Sequence, residues 1–124
     1  MKLEQTEVTI NGVVYVQKGT EQPKMNTDNA VIIRTRSAGV FFGYKKSAME
    51  KLEHGIVELS QARRLWFWSG ANTISCLAIF GTMKPKECKF CAPLDSITLT
   101  EVIEVVPCTE KSVESISGVP IWKQ

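Results

Sequence analysis

The stretch Ala62-Arg63-Arg64-Leu65-Trp66-Phe67-Trp68 places two guanidiniums and three large aromatic rings in seven residues. Read as a strand, its side chains alternate between two faces. Arg64, Trp66 and Trp68 then share one face, and Arg63, Leu65 and Phe67 share the other. One face is core. The other presents arginine beside tryptophan, a pairing that grips flat anionic ligands by stacking and bidentate hydrogen bonds.

The flanking sequence supplies partners for this strand. Upstream, Ile56-Val57-Glu58-Leu59 reads as a strand, and Ser60-Gln61 as a bend before the arginines. Further back, residues 31–36 form a strand with Ile32, Arg34 and Arg36 on one face. Ser37-Ala38-Gly39 turns it into a second strand over residues 40–44. Residues 45–54 are charged and read as a loop, or as a short helix over 48–52. His54, the single histidine, reads as a surface residue in a turn. Downstream, Ser69-Gly70 breaks the strand. Asn72 or Thr73 caps a helix whose Ile74, Leu77, Ala78 and Gly81 repeat at i, i+3, i+4 and i+7, with Gly81 as its stop. Residues 82–93 read as a loop, and residues 96–106 as the longest strand. In that strand Ile97, Leu99, Ile103 and Val105 point inward, and Thr98, Thr100 and Glu104 outward. Thr109 caps a short helix carrying Val113 and Ile116, and the apolar tail Val119-Pro120-Ile121-Trp122 packs back on the sheet.

The N-terminal portion differs. Asn11-Gly12 between two apolar runs is a strong hairpin signal over residues 8–18, and residues 19–29 read as a linker. The expected organisation is a hairpin and linker over residues 1–29, then one β-rich domain over 30–124. Strands joined by short turns, with helices set apart, indicate an α+β fold. It is a mostly antiparallel sheet or small barrel with one or two short helices.

Bulk properties narrow the function classes. The chain's 124 residues suit one such domain with a modest core of its own. A net charge of +2 excludes a strongly basic tail but permits a local basic patch. No apolar run approaches the roughly 20 residues of a membrane span, and the N-terminus lacks a signal-peptide core. The expectation is a cytoplasmic protein with no membrane contact. There Cys76, Cys88, Cys91 and Cys108 read as free thiols, with no cofactor. The alternative is zinc, with Cys88 and Cys91 as half a knuckle and Cys76 and Cys108 completing the set.

Residues 31–40, 62–71 and 99–108 together resemble a family of small proteins from tailed phages and prophages that carries a domain-of-unknown-function label. The resemblance covers most of residues 30–122. It implies a phage accessory protein acting in the host cytoplasm, and little about activity. The N-terminal Ile-Asn-Gly-Val-x-Tyr-Val pattern resembles leader ribbons that serve oligomer contacts.

The candidate ligand-binding set is Arg34, Arg36, Arg63, Arg64, Trp66, Trp68, Asn72 and Thr73. Several guanidiniums converge only around an anion. Asn72 and Thr73 open a helix whose free amides suit the same charge. The competing account seals the tryptophans in the core, lays the arginine stems over its rim and neutralises Arg63 or Arg34 with Glu101 or Glu104. No catalytic motif is present, and one histidine gives little material for hydrolysis. The sequence therefore points to a non-enzymatic, homo-oligomeric binder of an anionic small molecule, namely a nucleotide or a nucleotide second messenger of host defence. The alternatives are a single-stranded nucleic-acid module and a structural or interface protein.

Overall fold

The computed structural model describes residues 23–46 and 55–123. The hairpin expected over residues 8–18, the helix option over 48–52 and His54 lie outside the described residues. The fold is α+β: a six-stranded antiparallel sheet and two helices. The strands are β1 (Ala30–Thr35), β2 (Val40–Lys45), β3 (Val57–Phe67), β4 (Lys89–Phe90), β5 (Leu94–Leu99) and β6 (Val102–Pro107). Helix α1 spans Ile74–Phe80 and α2 spans Glu110–Ser117. The sheet order is β4-β3-β2-β1-β6, with β5 also on β3. Among the described residues no helix is long and apolar enough to cross a membrane.

The β1–β2 turn forms as its residues dictate. Gly39 takes φ 99°, a value glycine adopts without strain. Thr35 clasps the turn, donating to the Gly39 carbonyl at 2.9 Å and accepting from Ala38 N at 2.9 Å. Ala30–Ile33 is an unbroken apolar run because β1 is central and buried on both faces. On one face Ala30, Ile32, Phe42, Leu65 and Phe90 meet Leu77 and Ala78 of α1 and Ile116 of α2. On the other, Val31, Ile33, Phe41, Val57, Leu59, Ala62 and Leu99 pack together.

That second cluster exists because the sheet curls. β5 and β6 lie at opposite edges, yet only Thr100 and Glu101 join them. In a flat sheet four strand spacings would separate them by about 19 Å. Three residues reach at most about 10 Å. The sheet must therefore bend toward itself at that end, although it stays open and does not close into a barrel. The expected single strand over residues 96–106 is corrected here. Glu101 takes φ 54°, breaks the run and sends its halves to different partners. Ile103, expected inward, is 48% exposed on β6.

The bend expected at Ser60-Gln61 is instead a bulge within one 11-residue strand. Gln61 takes φ 48°, and the β2–β3 register slips by one residue there. Before the bulge, odd-numbered residues (Val57, Leu59) face the second cluster. After it, even-numbered Ala62 does, and odd-numbered Leu65 joins the helix side. Gly43 lies opposite, where a Cβ would come within 3.0 Å of Leu59 and 3.2 Å of the Ala62 backbone.

The caps follow the sequence reading. Thr73 accepts from Cys76 N at 3.1 Å, Thr109 accepts from Ser112 N at 3.1 Å, and Gly81 ends α1 at φ 75°. Part of the expected linker is docked. Met25 bridges Thr109, and the Asn26 side chain holds Ala30 N, Ala30 O and Cys108 O.

Candidate functional site

Strand β3 runs past its neighbour. Its register with β2 stops at Phe41↔Arg64, while β3 continues to Phe67. Between this overhang and the turn Ser37–Val40 lies an open cleft of about 420 Å³, whose other walls are Arg64, Leu65, Trp66 and Trp68. Its size falls within the usual range for small-molecule sites. Two other clefts are somewhat larger, but neither contains a tryptophan.

The two adjacent arginines have opposite fates. Arg64 is exposed, with its guanidinium 4.4 Å from the Phe41 ring centroid and Nη1 donating to Ala38 O at 2.7 Å. Among the described residues it has no carboxylate partner, and it lines the cleft. Arg63 is 3% exposed. Its Nε donates to Cys91 O at 2.8 Å, Nη1 to Ile116 O at 2.8 Å and Nη2 to Phe90 O at 3.2 Å. Burial pulls its pKa below the ordinary arginine value, with charge interaction from Cys91 pushing the other way. This guanidinium joins β3 to the β4 region and α2, and no ligand reaches it.

Trp66 is 60% exposed and stacks on Trp122, with ring centroids 5.1 Å apart and planes 18° from parallel. Lys89 lies 5.0 Å from the Trp66 ring, 5.5 Å from Trp122 and 6.0 Å from Phe67. Trp68 falls just beyond the end of β3, loses the alternation and packs against the helix-side cluster. Trp66 and Trp68 thus share a cleft but not a face. Phe67, expected beside Arg63 and Leu65, is 46% exposed.

The remaining predicted residues scatter. Arg34 Nε pairs with Glu104 Oε1 at 2.8 Å across β1 and β6. Arg36 is exposed one residue past β1. Asn72 lines a different cleft, and Thr73 uses its hydroxyl as a cap. Of the eight candidates, the structure gathers Arg64, Trp66 and Trp68. Glu104 neutralises Arg34 as the competing account held, whereas Arg63 is satisfied by carbonyls and not by an acid. The cysteines do not assemble: Cys108 is sealed in the core, Cys88 contacts Ser69, Thr82 and Lys84, and no group of three metal-capable side chains forms among the described residues.

A family model described as a domain of unknown function (DUF6948) matches residues 28–116, well over half of the chain. The chain belongs to the DUF6948 family. The match contains β1–β6 and the cleft residues Arg64, Trp66 and Trp68, and it stops before Trp122. No curated protein and no solved structure matches the chain significantly.

Lys89 and Trp122 were not visible from sequence as site residues. They lie 23 and 56 positions from Trp66, and no local pattern links them; the parallel bridge between Phe90 and Ile121 brings them there. The only hint was the apolar tail that had to pack somewhere.

Proposed function

We propose that this protein binds an anionic small molecule with a flat ring, a nucleotide, in the Arg64–Trp66 cleft without turning it over. The observation that carries this reading is an open cleft holding an exposed indole and a guanidinium that has no carboxylate partner among the described residues. Trp68 supplies an apolar wall, and Lys89 adds a second cation beside Trp66. A protein of a tailed phage that sequesters a nucleotide defence signal is the concrete version.

Magnitudes bear on how such a ligand is held. One base stacked on an aromatic contributes roughly 1–3 kcal/mol. A charge-assisted hydrogen bond from arginine adds about 1.5–3 kcal/mol. The sum is about 2.5–6 kcal/mol, centred near millimolar affinity, whereas micromolar binding requires about 8 kcal/mol. A sequestering protein therefore needs further contacts, which favours a homo-oligomer with the cleft completed at a subunit boundary.

The test is a thermal-shift panel of cyclic di- and trinucleotides and ADP-ribose derivatives, read with tryptophan fluorescence. At least one member should raise the melting temperature, and Arg64→Ala and Trp66→Ala should each remove the shift. A panel with no shift, or a shift that survives both substitutions, refutes the reading.

The open row of Trp66, Phe67 and Trp122 around Lys89 favours a second reading, a surface for single-stranded nucleic acid. Such binding falls steeply with salt, whereas a cleft-bound nucleotide with one or two charge contacts responds much less.

A further inference from the structure

The cleft of about 520 Å³ between α1, the loop after it and α2 has a different chemistry. Its apolar surface comes from Phe80, 45% exposed, and Met83, 78% exposed. Its charges are Lys84 and Lys111, and Lys111 Nζ sits 5.6 Å from the Phe80 ring. No aspartate or glutamate lines it, and neither lysine has a carboxylate partner among the described residues. The neighbouring cleft of about 500 Å³ shares Lys111 but is lined by Asp28, Glu110 and Glu114 as well, so the acids lie on the far side of that lysine.

The walls are tied in place. Thr82 N donates to Ser115 Oγ at 3.0 Å, Lys84 N donates to Thr82 Oγ1 at 2.9 Å, and Met83 N donates to Gly70 O at 3.3 Å. Gly70, at φ 85°, approaches so closely that a Cβ would lie 2.7 Å from the amide nitrogens of Met83 and Lys84. A loop fixed this firmly presents a preformed cleft, and a ligand would not need to order it.

We propose that this second cleft binds a small amphipathic organic anion. The apolar body lies against Phe80 and Met83, and the anionic group sits between Lys84 and Lys111. Two like charges sharing a concave site without an acid raise the local positive potential. An inorganic anion alone would leave the phenylalanine and methionine surface wet, so the ligand carries both parts. This proposal is independent of the Arg64–Trp66 reading.

Cys76, partly exposed and lining the same cleft, provides a site-specific readout. The full chain is alkylated with iodoacetamide, and the Cys76 peptide is followed by mass spectrometry with naphthalene-2-sulfonate or neutral 2-naphthalenemethanol present. At ten times its dissociation constant the sulfonate should slow Cys76 alkylation roughly tenfold by mass action. The neutral analogue should have little effect, and the Lys84→Gln/Lys111→Gln double variant should lose the protection. Arg64→Ala should retain it, which separates this site from the tryptophan cleft. No slowing, equal slowing by the neutral analogue, protection that survives the double lysine change, or protection lost in Arg64→Ala would each overturn the proposal.

Discussion

Replacing Arg63 with methionine keeps most of the buried volume and removes the guanidinium. Arg63 donates to three carbonyls, two of which retain other donors: Trp122 N on Phe90 O and Val119 N on Ile116 O. Among the described residues Cys91 O has no other donor, so losing the guanidinium strands one part-buried acceptor, at the lower end of about 1–3 kcal/mol. The two remaining bonds add about 1 kcal/mol each. Helix α2 has no basic residue in its own last turn, so Arg63 also supplies the cation its C-terminal end favours, worth roughly 0.3–1 kcal/mol. Against this, methionine escapes the cost of burying a charge. The net expectation is a loss of about 2–4 kcal/mol, or roughly 1–2 M in the urea midpoint at ordinary m-values. Arg63→Lys should fall between, because one ammonium cannot reproduce the fork. Arg64→Met, which loses one exposed bond to Ala38 and the guanidinium's place over the Phe41 ring, should cost no more than about 1 kcal/mol. Urea unfolding of the three variants decides it. If Arg63→Met stays within about 1 kcal/mol of the parent with an unchanged slope, the guanidinium is no structural staple.

Gly43→Val should destabilise the fold by about 1–3 kcal/mol through overpacking, because Leu59 and the Ala62 backbone stand 3.0–3.2 Å from the new Cβ; a parental melting temperature would show the bulge to be pliable. Burial pushes the Cys108 thiol up to about 11, against the hydrogen bond with Ser112 that favours the thiolate. The folded state therefore prefers the neutral thiol, and its stabilisation is complete below the unfolded thiol's pKa and lost as pH rises through 11, at most roughly 3 kcal/mol. Cys108→Ala should be less stable than the parent at pH 7 because it leaves a cavity, and its deficit should shrink between pH 9 and 11; a constant difference across that range would contradict the assignment.

Local features of the fold were legible from sequence, and features set by strand partners were not. The Thr73 and Thr109 caps, the Gly81 stop, the Ser37–Gly39 turn and the docking of the tail each follow from residues within a few positions. The continuity of β3 does not, because Ser60-Gln61 looks like a bend until β2 and β5 flank it on both sides. The break after Leu99 was hidden for the opposite reason. No glycine or proline interrupts residues 96–106, and the one irregularity is a charge, Glu101, at an inward position of the alternation; the positive φ of that residue separates the halves. In the site, composition marked Arg64, Trp66 and Trp68. It did not separate Arg64 from Arg63, because the acceptors that bury Arg63 are backbone carbonyls distant in sequence.

The bulge at Gln61 links the fold to the site. Because side chains alternate with a period of two, one extra residue exchanges the faces of everything downstream. Val57 and Leu59 already commit the first half of β3 to the curled side of the sheet. Continued without a bulge, that phase would turn Arg63 and Leu65 toward the curled side and set Arg64 and Trp66 beneath the helices. The inserted residue reverses this. Arg63, directly opposite Phe42, enters the helix side and reaches the end of α2, while Arg64, opposite Phe41, comes out over that ring. Leu65 then fills the core, and Trp66 is left at the surface to meet Trp122 and Lys89. Gly43 makes the slip sterically possible, since its missing Cβ is the space into which Leu59 and Ala62 close. The exposed arginine and indole of the cleft therefore follow from the register of β3 as much as from the composition of residues 62–68.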